Sequence, residues 1–60
     1  MKVTHILYLF EQDYGDLVRT IPAYNLYSAK YIANKFHDTD HYSVKIVDVE
    51  DGCVVYTLGI

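Results

Sequence analysis

The sequence holds one cysteine, one proline, three glycines and no tryptophan in 60 residues. The lone Cys53 excludes an intrachain disulfide and any zinc site built from several thiolates of one chain, and it suits a reducing compartment. Positive charge is sparse as well, with five Lys and Arg against eight Asp and Glu for a formal charge of -3. Lys2, Arg19, Lys30, Lys35 and Lys45 are scattered, which argues against the concentrated basic footprint that grips a phosphate backbone. The longest apolar run, Ile6 to Phe10, falls far short of the ~20 residues of a membrane span and lacks a secretory cleavage signal. The expectation is a cytoplasmic protein without a membrane segment.

Hydrophobic residues make up 52% of the chain. With so low a net charge, that content places it outside the disordered class. A chain of this length forms one domain, residues 1–60, which hides only about 60% of the surface its unfolded form exposes. Neither a linker nor an internal repeat stands out. Val3 to Glu11 reads as a first strand, Gln12 to Asp16 as a turn, and Leu17 to Ile21 as a second strand stopped by Pro22. Leu26, Ala29, Ile32, Ala33 and Phe36 then recur at helical spacing between Asn25, a candidate N-cap, and His37. Val44 to Val49 and Cys53 to Leu58 are β-rich, and Asp51-Gly52 between them predicts a two-residue type I′ turn. Such a turn sets Val49 opposite Val54 and Val47 opposite Tyr56 on one face.

The order predicts an α+β fold, ββαββ, with a four-stranded, mainly antiparallel sheet and one helix packed on one face. Strand order is open at this level, and a parallel pairing of the two hairpins is compatible with a helical crossover. Alternation sends Leu7 and Leu9 to one face and Ile6, Tyr8 and Phe10 to the other. One helix covers one face only. The second is then covered by loops and terminal residues such as Tyr42 and Ile60, altered by a strand bulge, or buried against another chain.

Seven tyrosines supply rigid amphipathic contact surface of the kind enriched at interfaces. Tyr8, Phe10 and Tyr56 are the candidate partner-binding residues of the sheet, and Tyr27 and Tyr31, four apart, those of the helix flank. Asp13, Asp16 and Asp51, in turns, are candidates for steering a basic partner. His37 and His41 are the weak candidates for a metal site, since they are four apart with Asp38 and Asp40 between them, but further ligands are missing. His5 and Cys53 are a base and a nucleophile by type only, and no glycine-rich phosphate loop is present. Neither a catalytic constellation nor a cofactor motif emerges.

The layout of a hairpin, a helix from Asn25 to His37 and a final hairpin containing Val44-Lys45 and Cys53-Val54 resembles small phage-encoded host-takeover proteins, including Dmd-like antitoxins. The resemblance lies in length and order of elements. It implies a protein-binding inhibitor of a host protein such as an RNase toxin, not an enzyme. The alternative expectation is a homodimer that closes the uncovered sheet faces on each other.

Overall fold

A computed structural model describes residues 2–60. The elements are β1 (His5–Phe10), β2 (Leu17–Ala23), α1 (Leu26–Asp40), β3 (Ser43–Asp48) and β4 (Val54–Leu58). The four strands form one sheet in the order β2-β1-β3-β4, and every neighbouring pair is antiparallel. The hairpins therefore meet through their first strands, and the parallel alternative is not adopted. At about 1.5 Å per residue, the 15-residue helix is as long as the strands and returns the chain to the end of the sheet where β3 must begin.

Three boundaries differ from the sequence reading. Strand β2 continues through Pro22 to Ala23, because an edge strand tolerates a residue without an N–H; the Ala23 carbonyl still accepts from Thr4 at 2.9 Å. Helix α1 runs on through Asp38-Thr39-Asp40, where the Thr39 hydroxyl donates to the Lys35 carbonyl at 2.7 Å. It ends at His41, held at φ 60, whose N–H donates to His37. At the other end Asn25 caps as expected, its side chain accepting from the Ser28 N–H at 2.7 Å.

The third difference changes a register. The second hairpin turns through four residues, Val49 to Gly52, instead of two. Asp48 donates its N–H to Cys53 at 2.9 Å and accepts from Gly52 at 2.8 Å. The side chains of Asp48 and Asp51 fix the wider loop by accepting from the N–H groups of Glu50 and Cys53, both at 2.9 Å. Val47 consequently opposes Val54, a bulge follows, and Tyr56 opposes Ile46.

The first hairpin turns in the same way. Glu11 donates to Asp16 at 2.8 Å and accepts from Gly15 at 2.7 Å. Gly15 and Gly52 sit at φ 74 and 73, the left-handed region the loop demands. Phe10 opposes Leu17, a bulge follows, and Leu9 opposes Arg19. The hairpins are thus an internal repeat with a constant offset of 37 residues, in which Gly15, Val18 and Thr20 answer to Gly52, Val55 and Thr57. The central pairing obeys the same operation. Leu7–Ile46 exchanges with Leu9–Val44, and Tyr8–Lys45 maps onto itself, so a pseudo-twofold axis pierces the sheet between Tyr8 and Lys45.

The helix packs on one face of this sheet and seals the core. Leu7, Leu9, Val44 and Ile46 from the two central strands are fully buried with Ala23, Ala29 and Ala33. The two helix alanines bring the backbone close to the sheet, and each large aliphatic side chain removed from water stabilises by about 1.5–3 kcal/mol. At the outer strands the packing carries the repeat in inverted form. Arg19 of β2 lies 5.7 Å from the ring centroid of Phe36 on the helix, whereas Tyr56 of β4 receives Lys30 of the helix at 5.0 Å.

Candidate functional site: the open sheet face

With Leu7, Leu9, Val44 and Ile46 committed to the helix, alternation turns Ile6, Tyr8, Phe10, Lys45 and Val47 to the opposite face. Cross-strand register adds Leu17 and Val54, which are 53% and 50% exposed. Among the described residues no helix or further strand lies over this surface. Tyr42 belongs to the helix side, stacked on Phe36 at 6.4 Å and packed against the core, and Ile60 is 73% exposed. The expectation that Tyr42 folds over the face is thereby corrected, whereas Ile60 does stand at the Phe10 end of the face, in a recess with Phe10, Ser43 and Lys45. Ser43, at the Phe10 end, is buried with its hydroxyl donating to the Gly59 carbonyl at 3.0 Å.

Lys45 stands at the centre, on the pseudo-twofold axis. Its Nζ lies 5.3 Å from the Tyr8 ring centroid and 5.6 Å from that of Phe10, so the cation is held against both rings. Sequence reading passed over this lysine. The available signal was its place two residues before Val47 in a strand whose other face, Val44 and Ile46, is wholly aliphatic.

The eight carboxylates lie toward the two ends of the molecule, and Glu11 borders the face, in a recess with Phe10 and Lys45. Glu11, Asp13 and Asp16 belong to the β1–β2 loop, and Asp40 at the helix end shares a recess with Glu11 and Asp13. Asp38 lies in the same last helical turn. Asp48, Glu50 and Asp51 border or form the β3–β4 loop at the other end, since β1 and β3 run antiparallel. An apolar, aromatic face 32 Å long at most is therefore framed by negative charge at both ends.

The remaining candidates separate. Tyr56 faces the helix, partly buried against the core, and does not share a face with Tyr8; the bulge reverses its predicted orientation. Tyr27 and Tyr31 project from the outer side of the helix, 83% and 66% exposed. His37 and His41 serve the backbone: the His37 ring Nδ1 bonds the Tyr42 carbonyl at 2.8 Å, and His41 is the helix cap. Among the described residues no group of three or more His, Cys, Asp or Glu side chains is placed to hold a metal ion.

His5 and Cys53 are kept apart by β3, whose Asp48 faces His5 across one side and Cys53 across the other. His5 is buried, with Nδ1 bonded to the Thr4 hydroxyl at 2.7 Å and Nε2 4.0 Å from Asp48. Cys53 is exposed, and the negative charge of Asp51, helped by a hydrogen bond to it, pushes the thiol above its ordinary range. That suppresses the thiolate a nucleophile requires. Among the described residues no helix is long and apolar enough to cross a membrane. Comparisons with protein-family models, curated proteins and solved structures return no match to this chain.

Proposed function

We propose that the chain is a non-enzymatic protein-binding module that occludes a partner with its open sheet face. The observation that carries this reading is the uncovered surface of Ile6, Tyr8, Phe10, Leu17, Val47 and Val54, larger and more aromatic than a self-contained sheet needs. The acidic loops at both ends select a partner whose apolar patch is flanked by basic groups and speed the encounter. A nucleic-acid-binding groove has that character. The resemblance in layout to Dmd-like antitoxins makes a host RNase toxin the first partner to test, with the cytoplasm as the place of action. Occlusion needs no cofactor and no catalytic residue.

The test is capture of partners by the wild type and by folded Tyr8→Ala, Phe10→Ala and Tyr27→Ala variants, followed by affinity measurement on the recovered complex. Truncation of a central aromatic anchor costs about 2 kcal/mol, about 30-fold in affinity. Tyr8→Ala or Phe10→Ala weakens the complex by that factor, and Tyr27→Ala leaves it intact. Equal affinity for wild type and both sheet variants, or no stoichiometric partner at all, overturns the reading.

A further inference from the structure

The internal repeat makes β2 and β4 equivalent positions, the two outer strands of one sheet, and this exposes how differently their edges are finished. Backbone N–H and C=O groups on an outer strand have no neighbour on one side and are a template for another strand unless something blocks them. On β2 the block is present. Pro22 removes a donor from the edge, and Arg19 places a charge within the strand. At the corresponding positions after the offset of 37, the second hairpin has Gly59 and Tyr56. From Cys53 to Ile60 there is neither a charged residue nor a proline. Val54 and Val55 are 50% and 42% exposed on this strand, and Val18, the equivalent of Val55, is also 42% exposed. Side-chain exposure at the bulges is the same, and edge chemistry is what separates the two strands.

We propose that the free edge of β4 pairs, antiparallel, with β4 of a second copy, joining two four-stranded sheets into one continuous sheet. Self-pairing across a twofold axis requires a strand that carries nothing hostile to itself, and β4 has no charge to meet its own kind. Elsewhere the surplus of -3 on each copy opposes association. Asp48, Glu50 and Asp51 all precede β4, so antiparallel pairing puts the two acidic loops at opposite ends of the joint, whereas parallel pairing would stack them. The axis runs perpendicular to the sheet, which sets both helices on one side and both open faces on the other. Growth stops at two copies, because only the blocked β2 edges remain. This joint is independent of the occlusion proposed above and leaves the open face accessible.

Light scattering tests the joint on the wild type and on Val55→Lys, Val18→Lys and Tyr8→Ala, each checked by circular dichroism for native strand and helix content. The wild type, Val18→Lys and Tyr8→Ala should weigh about twice 7.0 kDa, and Val55→Lys about 7.0 kDa. Amide hydrogen exchange on the unaltered chain provides a second readout that needs no variant. Protection within Val54–Leu58 should rise with protein concentration while that within Leu17–Ala23 stays constant. A wild-type monomer throughout the micromolar range, a Tyr8→Ala monomer, assemblies larger than two copies, or equal protection of both edges overturns the proposal.

Discussion

The two faces of the sheet are built from alternate residues of the same strands and solve opposite problems. Under the helix, Leu7, Leu9, Val44 and Ile46 are compact aliphatics with no exposure at all. On the other face their immediate neighbours are Tyr8, Phe10, Lys45 and Val47, larger or polar-tipped groups left partly wet. The first set provides the stability of a small domain, and the second spends the remaining apolar residues on a surface. A face meant only for water would carry polar residues at these positions. What the contrast teaches is that burial and display are separable here residue by residue.

Exchanging the environment of one neighbour pair gives the strongest test. Leu9→Ala opens a cavity in the core and should cost about 2–5 kcal/mol, a large share of what so short a chain possesses. Phe10→Ala, one residue along, should cost roughly 1 kcal/mol, because its ring is already partly in water. Denaturant titration of the two variants measures the difference, and equal losses would mean that the open face is core after all. A smaller effect sharpens the same comparison at the loops that join the strands. Gly15→Ala and Gly52→Ala each force a side chain into the left-handed region with open space around it, so each should cost about 1 kcal/mol, read as matching drops in denaturation midpoint. The smallest effect concerns the chemistry of the β4 end. Asp51→Asn removes the charge that raises the Cys53 thiol, so the thiolate fraction at neutral pH should grow and alkylation should quicken. An unchanged alkylation rate would remove Asp51 as the cause.

The ββαββ order was readable because the helix has an uninterrupted apolar stripe from Leu26 to Phe36, Asn25 is a sound cap, and turn residues flank each strand. What escaped reading depends on interactions that composition does not encode. The four-residue loop is fixed by two aspartate side chains accepting from backbone, and Asp51-Gly52 alone is equally compatible with the shorter turn. The wider loop moves the register by two residues and keeps each side chain on its face; it is the one-residue bulge after Val54, which no sequence signal marks, that carries Tyr56 to the helix side. The internal repeat was hidden because Leu, Ile, Val and Phe replace one another in it, leaving identical residues chiefly at Gly15, Val18 and Thr20. Strand order required knowing that β1 pairs with β3, a contact between distant parts of the chain. The open face was legible for β1 through the alternation of Ile6, Tyr8 and Phe10, but its central lysine emerged only when that pairing set Lys45 beside Tyr8.

The pseudo-twofold axis through the Tyr8–Lys45 pair also bears on how a bound molecule would be oriented. A surface with perfect twofold symmetry cannot distinguish a ligand from the same ligand spun by half a turn, so every complex would form as two interchangeable poses. Here the backbone frame is nearly degenerate in that sense, and side chains alone break the tie: the half-turn swaps Tyr8 with Lys45, Phe10 with Val47, and Ile6 with Ser43. Each swap trades an aromatic or bulky group for something cationic, slimmer or polar. Orientation is thereby written in such pairs of side chains, Leu17 and Val54 among them, and exchanging the exposed pairs would reverse a partner's heading on the same sheet.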